Sequence, residues 1–155
     1  MKNIFKLIIS ILIPLVIGFL GSFFTAGSVD SWYTTINKPS FNPPDWIFAP
    51  VWTILFILIG LSFYLVWRKN FGEDRKKVFT VYSLQLLFNL LWSVFFFGLK
   101  SPLLGLIDII ILLSFIIFNT IIFFKVSKTA GILFLPYLIW VSFASILNFS
   151  IFLLN

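Results

Sequence analysis

Five long stretches almost without charge decide what this chain can fold into. Residues 7–29, 46–67, 78–99 and 129–155 contain no Asp, Glu, Lys or Arg, and 101–124 contains only Asp108. A helix rises about 1.5 Å per residue, so about 20 residues cross the roughly 30 Å of hydrocarbon in a bilayer. Every stretch is that long. Lipid offers no partners for backbone N–H and C=O groups, so a spanning segment satisfies them within itself, as a helix. The many Phe, Ile and Val residues would read as strands in water, and length decides against that. The expected fold is an all-α membrane protein, a five-transmembrane-helix bundle. Helices are expected near 5–27, 46–68, 77–99, 102–125 and 130–153, with a long loop near 27–45, all in one domain, 1–155.

Composition agrees. Of 155 residues, 61% are hydrophobic and 10% charged, against about 25% charged in soluble domains. The net charge of +6 does not point to nucleic acid, because the cations lie between apolar runs rather than on a basic fold. Cysteine and histidine are both absent. That removes disulfides, thiolate and imidazole metal ligands, and the commonest general base. No nucleophile–base pair can be assembled from the remaining Asp, Glu and Lys, so conventional hydrolytic or transfer chemistry is not expected, and neither is a metal site or an obligatory cofactor. Lys2 and Lys6 before an apolar run invite comparison with a signal peptide. The run is too long for that, and a first membrane helix is expected.

The connection near 27–45 is long for a bundle, and long ordered loops are often functional. It leads into the segment that holds Trp32, Trp46 and Trp52 together with Pro39, Pro43, Pro44 and Pro50. Proline fixes φ and removes a donor, so the segment is expected to be stiff but not helical before about Trp46. It reads as a cover over the bundle. Alternating the spans puts Lys2, Lys6, Arg68, Lys69, Arg75, Lys76, Lys77, Lys125 and Lys128 on one side and Lys38 and Lys100 on the other. By the positive-inside rule the N-terminus is cytoplasmic, and the cover and C-terminus lie outside.

Three spans carry polar or aromatic faces. Gln85, Asn89, Trp92 and Phe96 are spaced for one face of the third span, and Tyr137, Trp140, Ala144 and Asn148 for one face of the fifth. Trp52 and Phe56 share a face of the second. Two alternatives stand for each face: hydrogen bonds and packing between helices, or a cavity wall, since carboxamides avoid lipid. Trp52, Trp92 and Trp140 are expected at similar depth, where a flat apolar ligand would fit between rings. Asp108, the one intramembrane charge, is expected near the outer interface, solvated or paired with Lys100.

The motifs Trp32-Tyr33, Lys38-Pro39, Pro43-Pro44, Pro50-Val51-Trp52-Thr53, Gln85, Asn89, Trp92-Ser93, Phe95-Phe96, Pro136-Tyr137-Leu138, Trp140-Val141, Phe143-Ala144 and Leu147-Asn148 resemble those of the translocator protein family. That family is also known as TspO/MBR, the tryptophan-rich sensory proteins or the peripheral-type benzodiazepine receptors. The resemblance covers all but roughly the first 25 residues. It implies a membrane receptor or sensor whose pocket takes porphyrins and other tetrapyrroles, and also isoquinoline carboxamide and benzodiazepine-type drugs. By resemblance, Tyr33, Pro43, Pro44, Trp52, Phe56, Gln85, Asn89, Trp92, Phe96, Tyr137, Trp140, Ala144 and Asn148 bind ligand. Bacterial members are associated with light-dependent porphyrin breakdown, and Trp52 and Trp140 match the tryptophans implicated there. A porphyrin-degrading enzyme and a tetrapyrrole or lipid transporter therefore remain as alternatives. A bacterial cell membrane and a homodimer are expected on the same ground. The animal cholesterol motif is broken, because no Lys or Arg follows Lys128.

Overall fold

A computed structural model describes residues 1–69 and 72–155. Five helices among them are long and apolar enough to cross a membrane. The first is α1, Lys2–Ala26. A short α2, Trp32–Thr35, lies in the long loop. The second span is α3, Phe48–Trp67, entered through a 3-10 turn at Asp45–Ile47. The third is α4, Arg75–Ser93, continued by a π-helical turn at Val94–Gly98. The last two are α5, Pro102–Val126, and α6, Lys128–Leu154. Each expected span is found within a few residues. The long loop departs from expectation at Trp32–Thr35, where a turn of helix forms ahead of Trp46. No proline lies between Ser28 and Asn37, so nothing in the backbone opposes it.

Local chemistry sets the ends. Pro102 opens α5, where its missing N–H costs nothing, and the Ser101 hydroxyl caps the turn by accepting from Leu104 N at 3.1 Å. Ser127 accepts from Ala130 N at 3.3 Å at the start of α6. Pro50 sits in the first turn of α3, where its N–H is not needed. Within the spans, hydroxyls such as those of Thr53, Ser114, Ser142 and Ser150 donate to the carbonyl four residues back. Hydroxyl side chains thereby remain satisfied inside hydrocarbon.

The spans close into a ring. α1 packs on α3, α3 on α6, α6 on α5, α5 on α4, and α4 back on α1. The seam between α1 and α3 is a backbone contact: a Cβ built on Gly60 would lie 2.5 Å from Ser10 O and 2.7 Å from Ile11 Cα. The seam between α3 and α6 includes a hydrogen bond from Ser62 Oγ to Ala130 O at 2.5 Å. Inside the ring, aromatic side chains form a column. Phe63 stacks on Tyr82 at 4.1 Å, Tyr82 meets Phe123 at 6.1 Å, and Phe123 meets Phe134 at 5.0 Å. Phe134 meets Tyr137 edge-on at 5.4 Å.

The end of the bundle that holds the N-terminus carries most of the cations, several of them over rings. Lys6 lies over Trp67, Arg68 over Tyr64, Arg75 over Phe79 and Lys77 over Phe118, at 5.2–5.7 Å. Such contacts hold basic side chains at the headgroup level. Part of the charged second connection, residues 70 and 71, lies outside the described residues.

The ring predicts where added volume is harmful. Gly60→Val should destabilise the fold by about 1–3 kcal/mol through overpacking. Gly27→Ala should have little effect, because its added Cβ meets nothing nearer than 3.6 Å. Thermal unfolding of the two variants in detergent, side by side, checks the difference.

Candidate functional site

The polar residues singled out on α4 and α6 face each other. Asn89 Nδ2 donates to Tyr137 Oη at 2.8 Å, and Tyr137 Oη donates to Gln85 Oε1 at 2.9 Å. All three side chains are buried. One turn outward, Trp92 Nε1 donates to Asn148 Oδ1 at 2.9 Å, and Asn148 Nδ2 donates to Pro102 O at 2.9 Å. One carboxamide thus joins α4, α5 and α6. Gly105 makes this possible, since a Cβ there would stand 2.9 Å from Phe96 and 3.0 Å from Asn148 Oδ1.

Between these networks lies a small cavity lined by Trp52, Asn89, Trp92, Ile109, Leu112, Val141 and Ala144. The space open to the centre of a water-sized sphere is about 10 Å³, roughly one water site. Trp52 forms one wall, stacked on Phe56 at 5.5 Å and edge-on to Tyr137 at 6.3 Å. Trp92 forms another, stacked on Phe96 at 5.0 Å. Ile109 and Leu112, the contribution of α5, were not singled out from the sequence. Their spacing by three on an apolar span was the available signal. A second hollow, bounded by Gly72, Glu73, Arg75, Lys76, Phe79 and Thr80, is open to the surface beside the charged connection.

Trp140 does not line the cavity. It is half-buried against Phe48 at 6.1 Å and Phe143 at 5.6 Å, under the long loop. Val141 takes the lining position instead. The expected meeting of three tryptophans is therefore a meeting of two. A helix advances about 100° per residue, so residues 140 and 141 fall on opposite flanks of the line through 137, 144 and 148.

The cover is well anchored. Tyr33 is buried, its hydroxyl donates to Asn42 Oδ1 at 2.9 Å, and its ring meets Phe97 at 5.6 Å and Phe96 at 6.3 Å. Burial, and then the charge of Asp45, push the Tyr33 phenol up to about 12, against the hydrogen bond with Asn42. The phenol therefore stays protonated at ordinary pH. Lys38 Nζ donates to Tyr33 O at 2.6 Å and lies over the Tyr33 ring at 4.6 Å. Ser28 Oγ donates to Phe97 O at 2.8 Å. Asn37 N donates to Asn155 Oδ1 at 3.0 Å, and Asn155 Nδ2 returns a bond to Asn37 O at 2.8 Å. Pro43 is half-buried and Pro44 exposed. None of Tyr33, Pro43 and Pro44 lines the cavity, because Phe96 and Trp92 intervene below Tyr33.

Asp108 corrects the expectation set for it. It is 2% exposed, and neither carboxyl oxygen has a hydrogen-bond partner among the described residues. It is neither solvated nor paired with Lys100, which is exposed and holds a φ of 53° just after the π-helical turn. Its position, six residues inside α5 on the face where Gly105, Leu106, Ile109 and Leu112 are buried, outweighs its charge.

The model of the TspO/MBR family matches residues 10–154. The chain belongs to the TspO/MBR family. It is 51% identical over 153 residues to the tryptophan-rich protein TspO of Archaeoglobus fulgidus, covering 99% of each chain. It is 38% identical over 126 residues to the tryptophan-rich sensory protein of Cereibacter sphaeroides, covering 81% of this chain and 78% of that one. It is 35% identical over 135 residues to the human translocator protein, covering 86% of this chain and 80% of that one. Membership of TspO/MBR and the five apolar helices together make this chain an integral membrane protein.

Tyr137 is the most consequential polar atom of this TspO/MBR site. Tyr137→Phe should strand two buried carboxamides and destabilise the fold by about 1–3 kcal/mol. Denaturant unfolding in mixed micelles, followed by tryptophan fluorescence, measures it. A loss no larger than that of an exposed Ser114→Ala control would show that the hydrogen bonds carry no net stability.

Proposed function

We propose that this protein is a membrane receptor or sensor that takes porphyrins and similar flat apolar ligands between its helices. The observation that carries the proposal is the cavity between the rings of Trp52 and Trp92, with the small side chain of Ala144 at its edge. Two indole walls and an apolar floor suit a flat conjugated ring, which gains burial plus about 0.5–1.5 kcal/mol per ring pair. The closed cavity is far smaller than a tetrapyrrole, so binding proceeds by separation of the walls and release of the cover. Isoquinoline carboxamide and benzodiazepine-type drugs, being smaller, require less separation. The names translocator protein and tryptophan-rich sensory protein, carried by relatives, accord with a ligand-responsive membrane protein.

A second reading, light-dependent breakdown of a bound porphyrin, is favoured by one contact. Trp52 meets Tyr137 edge-on at 6.3 Å, and Tyr137 is hydrogen-bonded to Gln85. An oxidisable pair therefore lies at the cavity wall. Trp140, away from the cavity but near the cover, serves as a second oxidisable ring in this reading.

Titration of purified protein with protoporphyrin, in dark and in light, tests both readings. Ala144→Phe should weaken porphyrin and drug binding together by at least about tenfold, since a packed wall has no slack for an added ring. Trp140→Phe should leave binding within about twofold while slowing light-dependent conversion, because it keeps apolar area and removes the indole. Unchanged porphyrin affinity in Ala144→Phe would place the pocket elsewhere.

The orientation proposed is a cytoplasmic N-terminus with the cover and C-terminus outside, in a bacterial-type cell membrane, supported by the nine-to-two split of Lys and Arg. A homodimer is proposed from the family resemblance alone. Because the chain has no cysteine, single Ser40→Cys and Lys76→Cys variants report orientation directly. An impermeant maleimide added to intact cells should label the first and spare the second. The opposite pattern overturns the assignment.

A further inference from the structure

Among the described residues the networks above leave out the buried polar groups of Ser10, Tyr82, Asn119 and Asp108, and Asp108 is the one carboxyl among them. Buried carboxyls are ordinarily paired or ligated, and in a membrane span an unpaired one marks a place of use. Its surroundings are specific. It precedes Ile109 and lies one turn from Leu112, and both of these line the cavity. It also lies on the edge of α5 that faces α4. Gly105, one turn outward, meets Phe96, and Phe115, two turns inward, stacks on Phe88 at 5.5 Å. α4 supplies Asn89 and Trp92 to the same cavity. Across from Asp108, the π-helical turn at Val94–Gly98 interrupts the regular α4 ladder, a feature that recurs at functional sites.

We infer that Asp108 is a hydrogen-bond acceptor subsite of the cavity, taking an N–H group of a flat aromatic ligand. Ionised or protonated, a carboxyl keeps at least one acceptor oxygen. Of the cavity's other polar groups, Asn89 Nδ2 donates to Tyr137 and Trp92 Nε1 donates to Asn148, which leaves Asn89 Oδ1 as the second acceptor beside Asp108. Ile109, Leu112 and Val141 offer no acceptor. A ligand N–H supplies the partner that Asp108 lacks, whereas a ligand of the same shape without one leaves it stranded. A site of this kind discriminates, because only the ligand with an N–H relieves a cost that the free protein already carries. The inference rests on the proposed ligand reading and deepens it, since pyrrolic N–H groups belong to this class.

A matched pair of small probes separates the inference from that reading. Carbazole and dibenzofuran share one flat three-ring shape and differ in N–H against O. Equilibrium dialysis against the full chain in detergent should show carbazole binding at least about tenfold tighter than dibenzofuran. Asp108→Asn should keep part of the preference, because a carboxamide oxygen still accepts. Asp108→Leu should abolish it, with an unchanged helical circular dichroism spectrum showing that the variant is folded. Equal affinities in the wild-type protein overturn the inference, as does a preference that survives in Asp108→Leu or binding of neither probe. Protoporphyrin titration of the same samples stands apart. Its failure with the carbazole preference intact overturns the porphyrin reading and leaves the subsite.

Discussion

The Asn148 carboxamide holds together the half of this bundle that lies away from the N-terminus. It accepts from Trp92 on α4 and donates to the Pro102 carbonyl at the start of α5. In water such bonds exchange with solvent and contribute little. In hydrocarbon the alternative is an unsatisfied amide, so the pairing fixes which faces meet. Trp92 is thereby turned toward the cavity, and its ring supports Phe96, on which Tyr33 and the cover rest. The Tyr137 network repeats the device one layer inward, where it joins α4 to α6. Between the two layers the wall is mainly apolar.

Much of this was legible in the sequence, for reasons that differ by residue. The spans follow from the absence of charge over lengths that only a bilayer requires. The facing of Gln85 and Asn89 toward protein follows from the cost of carboxamides in lipid, and their spacing by four placed them together. Trp140 illustrates the limit of spacing arguments. A ring may sit within 60° of the central line of a helix and still meet only its flank neighbours, here Phe48 and Phe143. Which flank is open depends on how the helices are rotated against each other, and no single helix records that.

Asp108 and the cover were harder for a different reason. A charge in a span is expected to seek the interface, and only the burial of its neighbours at Gly105, Leu106 and Ile109 shows that it does not. In the cover, the prolines mark the stretch 37–44 that forms no helix. They gave no sign of the helical turn at Trp32–Thr35 or of the bonds that join Asn37 to Asn155, across 118 positions of sequence. Those contacts depend on the ring being closed first.

The belt of cations over rings has a consequence for the bundle's behaviour in different membranes. Four such contacts register the N-terminal end at one headgroup level, whereas the opposite end has Lys38, engaged within the cover, Lys100 and the exposed Trp46. When hydrocarbon thickness changes, the anchored end holds its depth and the mismatch accumulates at the other. That is the end where the loop lies over Phe96 and Phe97. Bilayer thickness, set by acyl-chain length and sterol content, thus acts as a mechanical input on the cover of the cavity, without any molecule entering it.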